Sequence, residues 1–201
     1  MAEFPRPLIL PNTYYHVYNR GNNRRNIFRE DADFLRFLML LTKYMAPVGI
    51  VLSYALLPNH FHLTVLMNPA EDIPAKLLRN PHTLGNTFGH LQNAYAKYFN
   101  AKYGTFSSLF EKHFERKAVE NLAYLRQLIV YHHRNPESHG ITNDYREYFW
   151  TSYQEFAHPI VTPHVDIQYT LQKFGDLQGF FTAHGQKNPP TSQTLEFEDQ
   201  T

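Results

Sequence analysis

Residues 59–63 read Asn-His-Phe-His-Leu and follow directly on an apolar run, Ile50 to Leu57, that is typical of a β-strand. Alternate side chains of a strand lie on the same face. If the chain continues as a strand, His60 and His62 therefore point the same way, while Phe61 points into the core. Two imidazoles placed in this manner form a two-nitrogen pincer for a metal ion.

A tyrosine and an amide follow about seventy residues later on a predicted helix. Glu120 or Asn121 begins this helix, and Arg134 ends it because the residue before a proline disfavours the helical region. Tyr131 and Asn135 are spaced i and i+4, which puts a phenol and an amide oxygen on one helical face. Together with the histidine pair, they suggest metal-assisted attack by tyrosine on a phosphodiester.

Hydrophobic periodicity and turn residues predict the element order β-α-β-β-α-β-α. The predicted elements are a strand over 13–19, a helix from Asp31 to Met45, strands over 50–57 and 60–67, a short helix over 73–78, a long helix over 83–103, an extended segment over 109–119, and the tyrosine helix. This order predicts an α+β fold: a ferredoxin-like, or RRM-like, antiparallel sheet with packed helices.

Length and composition favour one domain with a tail, since 201 residues with 43% hydrophobic content can form one well-packed core. We expect the catalytic domain over 1–153 and a loosely attached C-terminal extension over 154–184. Residues 185–201 are rich in Gln, Pro, Thr, Ser and acids, which is typical of a disordered tail.

The chain contains no cysteine, so disulfides, thiolate zinc sites and thiol nucleophiles are excluded. The first eleven residues do not resemble a secretory signal, and no segment reaches about twenty uninterrupted apolar residues. We therefore expect a cytoplasmic protein without a membrane partner.

Basic residues are concentrated locally, although the net charge is only +1. The first cluster lies between residues 19 and 29, contains no acid and is interleaved with asparagines. The second cluster, residues 112–117, alternates with aromatic residues that could stack on unpaired bases. A solvated surface strand would explain the second cluster equally well. The candidate DNA-binding residues are Arg20, Asn22, Arg24, Arg25, Lys112, Arg116 and Lys117.

Three blocks of this sequence resemble signature blocks of the single-tyrosine HUH transposases, and more narrowly of the REP-associated tyrosine transposases. The blocks are YYHVYNRGNNRRNIF (14–28), SYALLPNHFHLTVL (53–66) and YLRQLIVYHHRNPESHG (124–140). The resemblance extends from about Tyr14 to Tyr153. It implies the HUH endonuclease fold and a metal-dependent nuclease and strand transferase that recognises hairpins of palindromic DNA, cuts single strands and forms a covalent 5′-phosphotyrosine.

The resemblance also implies roles for individual residues. His60 and His62 match the metal-ligand pair, Tyr131 matches the nucleophile, Asn135 matches the third ligand, and Arg20 lies in the loop that follows the first strand. Mixed nitrogen and oxygen ligands suit Mg²⁺ or Mn²⁺. The expected partner is single-stranded or hairpin DNA, and a homodimer is compatible with the sequence.

One position departs from the family block, which often reads Tyr-Ile-His-x-Asn-Pro: His132 stands where isoleucine is usual. His132 could change the packing beneath the helix or add a polar group there. The roles of His113, His132 and His133 stay unassigned, and His16 on the first strand is interpreted as structural, with a substrate contact as the alternative.

Other interpretations of the same residues stay open at this point. Tyr124, seven residues before Tyr131 on nearly the same helical face, is the second candidate nucleophile. Asn135 before a proline is also typical of a helix C-terminus. The fold could serve as a non-catalytic module that binds structured DNA or RNA. A hydrolase of soluble substrates and a carboxylate-dependent transposase are both disfavoured.

Overall fold

The computed structural model describes residues 7–111, 113–158 and 164–186. In chain order the helices and strands are β1 (Tyr14–Arg20), α1 (Asp31–Met45), β2 (Gly49–Leu57), β3 (His60–Met67), α2 (Thr83–Tyr103), β4 (Glu115–Ala118), α3 (Leu122–Ser138), α4 (Tyr153–Ala157), α5 (Ile167–Phe174) and α6 (Leu177–Gly185). The order from β1 to α3 is the one predicted. Where a short helix was expected over 73–78, the structure has the 3₁₀ turn Ala75–Leu77, and a second 3₁₀ turn, Ala70–Asp72, precedes that range.

The four strands form one antiparallel sheet in the order β2-β3-β1-β4. This is the strand order of a ferredoxin-like sheet, and the predicted α+β class is confirmed. β4 is shorter than the extended segment expected over 109–119. Residues 109–111 instead cross the end of β1 through separate backbone hydrogen bonds, among them Asn22 N to Leu109 O and Glu111 N to Arg20 O.

Two helices cover one face of the sheet, where apolar side chains alternate along the strands. α1 and α2 pack against each other, and Phe37 of α1 lies on Phe61 of β3 with ring centres 4.9 Å apart. Tyr95 of α2 is fully buried beside Phe37 and Phe110. The opposite face of the sheet carries histidines and is covered by α3, which packs on β2 and β3.

Helix α3 begins as predicted but ends later. The side chain of Asn121 accepts a hydrogen bond from Tyr124 N and caps the first turn. The predicted end before Asn135 is wrong: the helix continues through Pro136 to Ser138. The bias against helix before proline is a preference that burial can override, and Asn135 and Pro136 are both buried. The helix ends before Gly140, which adopts a left-handed φ of 66°.

The described part of the C-terminal region packs on the domain. Phe180 and His184 of α6 are buried, and the Thr170 hydroxyl donates to the carbonyl of Leu52 in β2. The division of the chain at residue 153 stays a prediction, and the expected tail lies, apart from residues 185 and 186, outside the described residues. Within the described ranges, no helix is both long and apolar enough to cross a lipid bilayer.

Candidate metal centre and nucleic-acid interface

The register between β1 and β3 defines the face on which the histidine pair lies. His62 pairs with Tyr18 and His60 pairs with Arg20, so these four side chains share one face of the sheet. The two imidazole ring centres are 5.2 Å apart. His62 is 2% exposed, whereas His60 is half-buried and reaches the protein surface.

A neighbouring side chain contacts the Nδ1 atom of each imidazole. His60 Nδ1 lies 2.7 Å from Asn59 Oδ1, and because a carbonyl oxygen only accepts, Nδ1 of His60 is the donor. His62 Nδ1 lies 3.0 Å from His16 Nε2 in a buried contact. Since both Nδ1 atoms are used in this way, a metal ion would bind the pair through Nε2.

One side of α3, together with the residue that follows the helix, faces the histidine pair. The ring of Tyr131 is centred 5.9 Å from that of His62, and the ring of His139, two turns further on, is centred 5.0 Å from that of His60. Residues four apart share a helical face, so Asn135 lies between these two contacts. The fold thus places the Tyr131 ring beside the imidazole pair, on the same helix that carries Asn135.

The Asn135 side chain is fully buried, and neither its Oδ1 nor its Nδ2 has a hydrogen-bond partner within the described part of the chain. An orphaned buried polar group costs about 1–3 kcal/mol, so it needs an explanation. The amide does not cap the helix, because α3 continues for three residues beyond it. A metal ion bound to Oδ1 would satisfy the oxygen, and one amide oxygen with two imidazole nitrogens is a donor set that a divalent ion accepts.

The electrostatic environment keeps His62 neutral. Burial, followed by the repulsion of nearby imidazoles such as His60 and His16, holds the pKa of His62 well below its ordinary value. Neutral imidazole is the form that binds a metal. The lowered pKa therefore favours the uncharged ring, and the nitrogen that carries its one proton decides whether Nε2 can act as a ligand.

A buried group of three histidines lies behind the pincer. Ligand atoms of His16, His62 and His132 all lie within 4.8 Å of one another, so this group too could hold a metal ion. His132 Nδ1 lies 3.0 Å from Ser53 Oγ and 3.2 Å from Thr64 Oγ1. The residue that departs from the family block is thus a packed polar side chain between α3 and the sheet.

A cavity of about 550 Å³ opens beside the histidine pair. It is lined by Tyr18, Asn19, Arg20, Arg24, Asn59, His60, Phe61, His62, Glu111, His113, Glu115 and His139. Arg20 and Arg24 therefore lie at the same opening as the pincer. Arg20 is held there by Glu111, whose Oε1 accepts a hydrogen bond from Arg20 Nε at 2.6 Å.

The remaining candidate DNA-binding residues are spread over the surface. Asn22 is exposed on the 3₁₀ turn Asn22–Arg24, and Lys117 pairs with His16 and so lies on the histidine face. Lys112 lies outside the described residues.

Two arginines of the candidate set make contacts within the protein. Arg25 donates to Ser107 Oγ and to the carbonyl of Ser108, which ties the turn after β1 to the loop before β4. Arg116 pairs with Val17, on the face opposite the histidines, and its Nε donates to the carbonyl of Pro7 at 2.7 Å. The structure thus separates Arg116 from the pincer.

The sequence analysis assigns no role in the site to two residues that the structure places there, His139 and His132. His139 lines the cavity, but the predicted helix ends before reaching it. Its spacing of eight residues from Tyr131 becomes informative only once the longer helix is known. His132 is apparent in sequence as a departure from the block, yet its partners Ser53 and Thr64 come from two different strands. The alternative nucleophile, Tyr124, lies about 10 Å along the helix axis from Tyr131.

The structure thus has a four-stranded antiparallel sheet with a His-x-His pair on a central strand, covered by a tyrosine-bearing helix. The chain is similar to a solved REP-associated tyrosine transposase bound to a REP hairpin, with a TM-score of 0.58 and 17% sequence identity over 83% of this chain and 93% of that one. The resemblance expected from the three sequence blocks is thereby confirmed at the level of the fold. Neither the scan against protein-family models nor the search of curated proteins gives a match.

Proposed function

We propose that the protein is a metal-dependent single-stranded DNA endonuclease and strand transferase that forms a covalent 5′-phosphotyrosine on Tyr131. The observation that carries this proposal is the position of Tyr131. Its ring adjoins His62, and one helical turn further on Asn135 presents a buried amide without a hydrogen-bond partner in the described residues.

His60, His62 and Asn135 would hold one Mg²⁺ or Mn²⁺ ion. When bound, such an ion supplies Lewis acidity that offsets the charge developing on the oxygens of the scissile phosphate. Asn59 and His16 contact the Nδ1 atoms of the two imidazoles, and this support limits the freedom of both rings.

Tyr131 would act as the nucleophile. Its phenol loses its proton as the oxygen bonds to phosphorus, the bond from phosphorus to the 3′-oxygen breaks, and the departing 3′-oxygen takes up one proton, so that no net proton is gained or lost. Tyrosine has an ordinary pKa of about 10, so its phenolate is a good leaving group and a DNA 3′-hydroxyl can reverse the linkage. One phosphodiester is exchanged for another, and strand joining needs no ATP.

The proposed substrate is a DNA hairpin with a single-stranded flank. The solved transposase with the similar fold is bound to a REP hairpin. In this chain, Arg20, Arg24 and Lys117 lie on the side of the sheet that carries the pincer, where cationic side chains could contact phosphates. Binding through such contacts weakens as the salt concentration rises.

The test is adduct formation on DNA hairpins with single-stranded flanks, labelled at the 3′ end so that the covalently attached fragment carries the label. Wild-type protein with Mn²⁺ is expected to give a labelled band that survives denaturation, and Tyr131→Phe is expected to give none. Tyr124→Phe is the matched control on the same helix and keeps the adduct. Hairpin binding without metal and without any adduct over a broad set of hairpins would contradict the proposal and favour a non-catalytic binding module.

A further inference from the structure

We propose that His16 is a positioning residue: it holds His62 in the orientation and tautomer that direct Nε2 of His62 towards the metal ion. This inference rests on the proposed function, because it assigns the metal to the pincer of His60, His62 and Asn135. His16, which the sequence analysis interprets as structural, thus acquires a role in orienting a metal ligand.

The contact between the two imidazoles is direct and excluded from water. His16 is completely buried, and its Nε2 lies 3.0 Å from Nδ1 of His62. His16 pairs with Thr64 across the sheet and His62 pairs with Tyr18, so the two histidines are diagonal neighbours on adjacent strands. The backbone ladder therefore sets the distance between the rings.

The environment of His16 restricts its ring. The Tyr18 ring centre lies 4.7 Å away and the His132 ring centre 4.9 Å away. His132 is held in turn by the hydroxyls of Ser53 and Thr64 at its Nδ1. Aromatic rings pack on His16, and a small rotation that would break its contact with His62 is opposed by close packing.

The proton between His62 Nδ1 and His16 Nε2 can belong to either ring. If Nδ1 of His62 donates to Nε2 of His16, Nε2 of His62 keeps its lone pair and can bind a metal. In the reverse arrangement, the neutral His62 ring carries its proton on Nε2 and cannot bind there. The first arrangement is the one that the pincer requires, and a residue that accepts from Nδ1 favours it.

The buried group of His16, His62 and His132 offers a competing location for the metal. An ion there would take ligand atoms from His16 and His132, whereas an ion in the pincer needs only the hydrogen bond that His62 Nδ1 donates to His16. The two cases differ in their dependence on His132, which contacts the ring of His62 without sharing the Nδ1 hydrogen bond.

The experiment measures Mn²⁺ binding by calorimetry and by electron paramagnetic resonance for wild type, His16→Leu, His16→Gln and His132→Ile. Removal of a residue that orients a ligand lowers metal affinity by about 10–100-fold, and this loss is expected for His16→Leu. His16→Gln places an amide oxygen near the former Nε2 and is expected to recover most of the affinity. His132→Ile is expected to change it little. Unchanged affinity in His16→Leu, or abolished binding in His132→Ile, would overturn the proposal.

A second readout uses the metal-free wild-type protein and does not depend on any variant folding. The ¹⁵N chemical shifts of the His62 ring are expected to report a protonated Nδ1 and an unprotonated Nε2. A proton on Nε2 would refute the positioning role. Circular dichroism and the thermal midpoint establish that each variant is folded. If the proposed catalysis were absent, the adduct assay would fail in wild type while the metal affinities and the tautomer would still decide the role of His16.

Discussion

Replacement of Asn135 by leucine separates the stability of the metal-free fold from the capacity to bind a metal ion. Asn135 is fully buried on α3, and both of its amide atoms lack a hydrogen-bond partner in the part of the chain that the structure describes. An amide kept in such a place is unfavourable for the metal-free protein and favourable for a liganded one. Leucine has the same branching without the polar atoms.

The size of the effect follows from the number of orphaned atoms. At about 1–3 kcal/mol each, the two amide atoms destabilise the metal-free fold by about 2–6 kcal/mol. The extra volume of leucine offsets part of the gain, by about 1–3 kcal/mol. From the midpoints of these two ranges, we expect Asn135→Leu to raise the free energy of unfolding without metal by about 2 kcal/mol. For a chain of this size, each kcal/mol corresponds to about 2–4 °C in thermal midpoint.

The assay is thermal unfolding with and without Mn²⁺. Wild type is expected to gain about 2.7 kcal/mol when free Mn²⁺ is 100 times its dissociation constant, whereas Asn135→Leu is expected to gain much less. Asn135→Asp is the matched control, because it keeps an oxygen ligand but buries a carboxylate. It should be less stable than wild type without metal and respond more strongly to Mn²⁺. A destabilised metal-free Asn135→Leu, or a full response of that variant to Mn²⁺, would refute the reasoning.

Two further predictions concern the stability of the fold. Gly21→Ala should lower the free energy of unfolding by about 1–3 kcal/mol in urea titrations, because a Cβ there would stand 2.0 Å from the carbonyl oxygen of Arg25. Equal stability of this variant and wild type would count against that contact. Burial alone would raise the pKa of Asp33, but the hydrogen bond from Lys102 at 2.6 Å and those from neighbouring groups lower it below its ordinary value. The Asp33 carboxylate therefore adds stability above its unfolded pKa of about 4, and this contribution is lost as the pH falls through the lower folded value. The difference in unfolding free energy between wild type and D33N should shrink on acidification, and a difference independent of pH would contradict this.

Local patterns were sufficient for much of the fold. The apolar run Ile50 to Leu57 and the alternation around His60 and His62 predict strands. They also predict a shared face for the two histidines, because side-chain direction in a strand depends only on sequence parity. The spacing of Tyr131 and Asn135 predicts a shared helical face for the same kind of reason. Element order then restricts the sheet to few topologies, and the observed β2-β3-β1-β4 order is among them.

Local patterns failed where a preference competed with burial. The proline after Asn135 predicts the end of α3, yet the helix continues to Ser138 and brings His139 to the cavity. Basic residues adjacent in sequence were grouped as one candidate surface, but the pleat of β4 sends Arg116 and Lys117 to opposite faces. The helix end was wrong because a statistical bias against helix before proline was applied as a rule. The basic surface was wrong because alternate residues of a strand lie on opposite faces, and this alternation was not considered.

The sequence by itself determined the chemistry that is available: an imidazole pair on one strand face, and a phenol with an amide on one helical face. Only the tertiary structure decided that these two sets meet, that His16 contacts Nδ1 of His62, and that the Asn135 amide is buried without a partner in the described residues. The reason is physical. Periodicity specifies directions within one element, whereas contacts between elements depend on strand register and helix docking, which are set by packing of the whole core.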